Sequence, residues 1–336
     1  MEAEAAQRAT LPGRALQGLL ALSGVGLTIA AMMAGLHLAG LDDIWIFDLA
    51  IQFSPAVAIA ALGWLAVAGL AGWRGRRLAL GVAAGAAVSL ACVLSFRAFD
   101  RPTGAGPDDR PAADLTVITA NVYGRPAAID AVSELARQAR ADIVAINEVP
   151  QAIGTQELSA AFPSFASVEL ARRDHGGHPI RHPTALLMRD TARQSRIITD
   201  PTFGNRAAIL AGLDVAGAEL RILTGHAKAP LSAGAFRRRN GMLAGFARLL
   251  EGEDSFLLLG DFNTTPWSAH FRALPGQRAC DPKFSSTWRS RWPLPGLAID
   301  HILAGPRLEL LDCRVERPIG SDHFPVLARY RIRPED

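Results

Sequence analysis

Eight side chains in the second half of the chain are of the types that hold hard cations and move protons: Asn121, Glu148, His226, Asp261, Asn263, Asp300, Asp322 and His323. Each stands at or near the end of a short apolar run. A group that emerges from a strand end is held rigidly while still facing a cleft, as a reacting constellation requires. Taken singly, each has an ordinary use: Asn121 as a turn former, Glu148 as a surface charge, His226 as a satisfied loop histidine, the carboxylates as solvated strand ends. The run Leu257-Leu258-Leu259-Gly260-Asp261-Phe262-Asn263 is the most informative, because a buried strand delivers an Asp and an Asn, two apart, into a glycine-containing bend.

The elements that must position these groups follow from periodicity. Strands are predicted at 115–120, 142–146, 184–188, 220–223, 256–259, 299–303 and 326–330, with helices over 127–140 and 233–250. Strands interspersed with helices define an α/β class with extensive sheet. From about residue 114 to the C-terminus the chain is long enough to bury a core of its own.

In this order the residues resemble the endonuclease/exonuclease/phosphatase superfamily of metal-dependent phosphoesterases. The motifs that carry the resemblance are Thr119-Ala120-Asn121, Asp142 to Glu148, Thr224-Gly225-His226, Gly260-Asp261-Phe262-Asn263, Ile299-Asp300-His301 and Ser321-Asp322-His323. Two departures stand out: Asn147 where Gln is commoner, and His182 to Asp190 in place of a Gly-rich segment ending in Ser-Arg. The resemblance implies a four-layered α/β sandwich, two packed sheets flanked by helices, with the site at one edge. It also implies Glu148 as the first metal ligand, assisted by Asn121 and Asp322, with Mg²⁺ the default ion and Mn²⁺ a substitute. His323 oriented by Asp300 forms a dyad, and His226 donates to a phosphoryl or leaving-group oxygen. Either Asp261 is the base that activates water, with Asn263 orienting the phosphate, or His323 is the base and Asp261 positions.

The first hundred residues read differently. Three apolar stretches, about 16–39, 53–73 and 78–96, are expected to span a membrane, and residues 100–113 form a Pro/Gly linker. Arg8 and Arg14 before the first stretch, and Arg74, Arg76 and Arg77 between the second and third, belong in the cytoplasm. The catalytic domain, 114–336, is therefore expected outside the cytoplasmic (inner) membrane. Gly81 and Gly85 would let helices approach closely. Trp64 is expected to pack.

Cys280 and Cys313 lie far apart with no CxxC, so sulfur ligation of a metal is not expected, while a disulfide between them is open to an exported domain. His175, His178 and His182 read as a solvated loop rather than a second metal site. Arg237, Arg238 and Arg239 read as a solvated helix face, and Trp267 and Trp288 as cleft or core.

The leading expectation is metal-dependent hydrolysis of a phosphodiester, a phosphomonoester or a lipid-linked pyrophosphate at the outer membrane surface. The expected partners are the bilayer and a phosphorylated substrate. The net charge of +3 makes nucleic acid less favoured, though a deoxyribonuclease-like activity is the alternative. A non-catalytic binding or sensor module is a further one. A transporter is disfavoured because the spans lack buried charge. Nothing in the sequence points to a protein partner.

Overall fold

The computed structural model of the protein describes residues 2–71, 75–95, 114–174, 176–215, 217–280, 286–290 and 296–333. They divide into a helical unit, Met1–Arg97 with Trp267–Ala269, and an α/β unit, Ala98–Pro266 with His270–Asp336. The expected linker 100–113, with Trp73, Arg74, Phe96 and His175, lies outside the described residues.

The helical unit contains α1 (Glu2–Leu38), α2 (Trp45–Gln52), α3 (Ser54–Leu70) and α4 (Arg76–Ser95). Glycines set its packing. A Cβ on Gly85 would come within 2.6 Å of the Ala31 Cβ, and one on Gly81 within 3.3 Å of Thr28, so α4 and α1 touch through small residues. Trp64 is buried and its indole donates to the Leu20 carbonyl at 2.9 Å, a packing role.

The expected three spans are corrected here. Among the described residues one helix, Ala15–Leu38, is long and apolar enough to cross a membrane, with 24 residues of mean hydropathy 2.0. The second stretch is broken: α2 ends at Gln52, Phe53 caps it, Pro55 lies in the first turn of α3, and the two helices bend by 65°. With 17 residues, α3 alone reaches about 25 Å, short of the roughly 30 Å hydrocarbon core. The third stretch runs to Phe96, beyond the described end of α4.

The α/β unit is built from two mixed six-stranded sheets. The strands in chain order are β1 (Leu115–Asn121), β2 (Ile143–Asn147), β3 (Ser167–Arg173), β4 (Pro179–Met188), β5 (Gln194–Ile198), β6 (Ala208–Val215), β7 (Ala218–His226), β8 (Phe256–Asp261), β9 (Gln277–Arg278), β10 (Asp300–Ala304), β11 (Leu308–Val315) and β12 (Val326–Ile332). One sheet runs β11-β12-β1-β2-β4-β3, the other β5-β6-β7-β8-β10-β9. Between them lies a core that includes Val117, Ile143, Leu186, Ile209, Ile222, Leu257, Leu259 and Ile302. Alternation explains the rest: Ile118, Val144 and Leu187 face the other way and pack with Ile129, Val132 and Leu158 from α5 (Pro126–Ala139) and α6 (Thr155–Ala161). On the second sheet, Met242 and Phe246 of α7 (Ala233–Leu249) lie against Gly225. The seven expected strands are all present, and β3, β5, β6, β9 and β11 are additional.

Two features bring the reactive groups to one edge. The pairs β1–β2 and β7–β8 are parallel, so Asn121 and Asn147 end side by side in one sheet and His226 and Asp261 in the other. Then β10 runs antiparallel to β8 and begins with Asp300 opposite Asp261, while β12 runs antiparallel to β1, so the turn carrying His323 arrives at the same edge. Parallel strands joined by a helix present their carboxyl ends together, where ligand sites form.

Cys280 and Cys313 are bonded to each other. The bond joins the segment after β9, an edge strand of one sheet, to β11, an edge strand of the other.

Candidate active site

Asn121, the last residue of β1, is fully buried and its amide links two carboxylates. Its Nδ2 donates to Asp261 Oδ2 at 2.9 Å and to Glu148 Oε1 at 3.3 Å, while its Oδ1 accepts from the Tyr123 N–H. Glu148 follows β2 with φ 56°, a left-handed conformation that a non-glycine residue adopts at a cost of order 1–3 kcal/mol. Asn263, after β8, is left-handed too, with φ 49°. Both turns re-aim the chain as it leaves a strand.

Asn147 ties the sheets together beneath these groups. Its Oδ1 accepts from the Asp261 N–H at 2.8 Å and its Nδ2 donates to Thr184 Oγ1 at 3.2 Å. The shorter Asn thus does bridging work where Gln is commoner. Gly260 makes the close approach possible: at φ 143°, a Cβ there would sit 2.1 Å from the Gly225 carbonyl oxygen.

Around Glu148 stand two imidazoles. His182 Nδ1 lies 3.2 Å from Oε2 and His226 Nε2 lies 3.7 Å from Oε1, with the two rings edge to face at 5.5 Å. Burial by itself raises the Glu148 carboxyl, but the His182 hydrogen bond, the electrostatic pull of the His226 and His182 imidazoles and the Asn121 amide outweigh it and hold it at about 2. Burial and the Arg206 charge push the His226 imidazole well below its ordinary value, so it is neutral. Its Nδ1 is buried without a partner, and Nε2 faces Asp261 Oδ2 at 3.5 Å and the Asn263 amide at 3.3 Å.

The second group is more deeply enclosed. His323 Nδ1 meets Asp300 Oδ2 at 2.8 Å, and its Nε2 faces Asp261 Oδ2 and Asp322 Oδ1, both at 3.9 Å. Burial alone depresses this imidazole, yet Asp300 by charge and hydrogen bond, with Asp261 and Asp322, outweighs it and raises it to about 10. Asp261 is raised in turn, by burial first and by the Asp300 charge second. Asp322 accepts from the Trp288 indole at 3.1 Å, and its Oδ1 is buried with no hydrogen-bond partner.

All eight expected residues therefore stand in one linked network. Two sets of ligand atoms are tight enough to hold a cation, each within 4.8 Å of one another: Glu148, His182 and His226; and Asp261, Asp300 and His323. The donor chemistry, carboxylates with imidazoles in each set, fits a divalent ion.

His182 corrects the sequence reading. It belongs to β4 rather than to a loop, on the same face as Thr184 two residues on, and that alternation was the signal available. His178 is the solvated one, pairing with Asp174 at 3.1 Å. Arg239 is a second correction, since it is fully buried, with Nη1 3.4 Å from the Asn263 carbonyl oxygen, and not on a solvated face. Arg237 and Arg238 are exposed as expected.

Residues 118–323 match the Endonuclease/Exonuclease/phosphatase family. Among solved structures, an endonuclease/exonuclease/phosphatase from Bacteroides vulgatus is similar at TM-score 0.55 and 19% identity, covering 65% of this chain and 99% of that one. One from Beutenbergia cavernae DSM 12333 gives TM-score 0.54 and 17% identity over 66% and 72%. Humanized D. rerio TDP2 gives TM-score 0.54 and 18% identity over 65% and 98%. At these identities the likeness is one of fold. No curated protein sequence matches the chain.

Proposed function

The chain belongs to the Endonuclease/Exonuclease/phosphatase family and is a phosphoesterase, and we propose that it hydrolyses phosphate esters in a divalent-cation-dependent reaction on the outer side of a membrane. The observation that carries this reading is the unbroken link from Glu148 through Asn121 and Asp261 to His323 and Asp300.

Glu148 would be the principal ligand of a divalent cation, with Asn121, Asp322 and His182 as further donors. A divalent cation bound there neutralises charge that builds on the phosphoryl oxygens. Mg²⁺ suits the oxygen donors, and the His182 imidazole makes Mn²⁺ a good substitute. Asp261, with its raised proton affinity, takes the proton from the attacking water. His323 remains an imidazolium beside Asp300 and faces the phosphoryl group. Asn263 orients that group and neutral His226 donates to the departing oxygen.

The placement outside the cytoplasm is supported by two features. Arg8 and Arg14 precede the apolar stretch of α1, so a single crossing leaves the rest of the chain on the far side. The Cys280–Cys313 bond suits an oxidising compartment. A tether of this kind raises the effective concentration of membrane-borne substrates such as a lipid-linked phosphate or pyrophosphate. Nucleic acid is the second reading, because D. rerio TDP2, similar in fold, has been solved with a single strand DNA product.

The test is a substrate panel of lipid phosphates, small phosphodiesters and nucleic acid, assayed with full-length protein in vesicles, with Mg²⁺ and with chelator. Turnover that survives excess chelator sinks the metal-dependent reading. DNA cleavage without any lipid turnover replaces the lipid reading with the nuclease one.

A further inference from the structure

One flank of the site carries cations that the chemistry above does not use. Arg206, just before β6, is only 8% exposed, and its Nε is buried without a partner. Among the described residues its guanidinium makes one hydrogen bond, from Nη1 to the Asn205 carbonyl at 3.3 Å. A buried guanidinium with no carboxylate in hydrogen-bond contact among the described residues is stabilised by an anion that reaches it. Arg206 lines a cavity of about 390 Å³ together with Ile180, Gly204 and Asn205.

Three more cations gather at this wall. The side chain of Arg238 lies over Gly204: a Cβ built there would come within 2.5 Å of Arg238 Cδ and 3.1 Å of its Nε. The Arg181 backbone N–H donates to Asn205 Oδ1 at 3.3 Å, which fixes its segment beside Arg206. Lys228 sits two residues beyond His226, half-buried. The Ala227 N–H just before it donates to the Asp261 carbonyl at 2.9 Å, which holds Lys228 beside the site. Ala208, two residues after Arg206, pairs with Gly225 beside His226, which sets Arg206 next to the candidate metal centre.

We infer that Arg206, Lys228, Arg181 and Arg238 form a second anion subsite beside the metal centre, which takes the non-reacting phosphate of a pyrophosphate-linked substrate. The inference rests on the phosphoesterase reading of the adjoining site. A compact dianionic group suits a buried guanidinium that opens onto a bounded cavity, with Arg238 lying over Gly204 in its lining. An extended polyanion needs a cationic track along its length instead. The cavity's other wall bears Asp174 and Asp200, whose carboxylates are engaged by His178 and Thr202.

The experiment measures inhibition of small-phosphodiester hydrolysis by inorganic phosphate and by inorganic pyrophosphate, on full-length protein with Mg²⁺ in excess. Pyrophosphate is expected to bind at least about tenfold more tightly than phosphate. Arg206→Gln should bring that ratio close to one, Lys228→Met and Arg238→Gln should each narrow it several-fold, and Arg206→Lys should restore part of it. Arg238 is exposed, so its loss of preference cannot come from misfolding. A ratio near one in the unaltered protein, a ratio unmoved by all variants, or equal weakening of both inhibitors overturns the subsite. So does a short single-stranded DNA that competes better than pyrophosphate through the same four residues. If no phosphoester is hydrolysed with any metal, the phosphoesterase reading fails by itself. Calorimetry with inorganic pyrophosphate then decides the subsite separately: heat that is lost in Arg206→Gln supports it, and no heat ends it. Comparing a soluble pyrophosphate diester with the same headgroup on a lipid in vesicles separates the two sources of the ligand.

Discussion

Glu148 and Asp261 share one hydrogen-bond donor, the Asn121 amide, and differ in what else sets their charge. Glu148 stands at a half-open edge between two imidazoles, and its carboxyl is held at about 2. Asp261 is enclosed, faces a second carboxylate across the β8–β10 pairing, and is raised to about 7. Burial pushes both upward. In Glu148 the neighbouring histidines win, whereas in Asp261 desolvation and Asp300 prevail over His323. Two carboxylates on one amide thus divide the labour, one permanently charged and fit for a cation, the other able to exchange a proton near neutral pH.

The largest effects should come from removing either half of that division. Glu148→Ala is expected to reduce kcat/KM by about 10³-fold or more, with the fold retained by circular dichroism. His323→Ala and Asp300→Asn should each cost a similar amount, and the double variant little more than either, because the pair acts as a unit. Additive losses would separate them. His182→Ala should leave the buried half intact but raise the Mg²⁺ concentration needed for half-maximal rate by roughly 10- to 100-fold, the usual cost of losing a group around a metal. An unchanged metal requirement would remove His182 from that edge.

The proton-exchanging half makes a prediction about pH. A base must be deprotonated, and a raised pKa keeps its proton on to higher pH. Activity should therefore fall about tenfold per unit as pH drops below roughly 7, rather than below the ordinary carboxylate range near 4. An acid limb near 4 in kcat/KM would take Asp261 out of the role of base. The smallest effect on rate is expected from Cys280→Ser with Cys313→Ser, since the bond joins edge strands and touches neither carboxylate. Turnover at 25 °C should stay within about twofold. The lost constraint on the unfolded chain should lower stability by roughly 3–4 kcal/mol, read from denaturant melts. A large loss of rate without loss of stability would place the bond in the site's geometry.

The sequence by itself singled out eight polar residues, which the structure brings to one edge, but not His182. Eight polar residues at the ends of apolar strands, in a fixed order, were legible because a strand that is buried on both sides reads as an unbroken apolar run, and its polar terminus stands out. The α/β class and the central strands were legible for the same reason. The edge strands β3, β5, β9 and β11 were not. An edge strand pairs on one side only and keeps a polar face, so its composition resembles a loop. β6 was missed because its Ala and Gly residues carry little strand signature. Tertiary structure decided which histidine joins Glu148, since His182 enters only when β4 pairs with β2 and brings it alongside. It also decided how the apolar N-terminal stretches fold. Hydropathy counts residues, but whether a run forms one rod depends on a local break such as that at Phe53 and Pro55. The opposed proton affinities of Glu148 and Asp261 were likewise invisible in sequence, because they arise from distances between groups up to 140 residues apart in the chain.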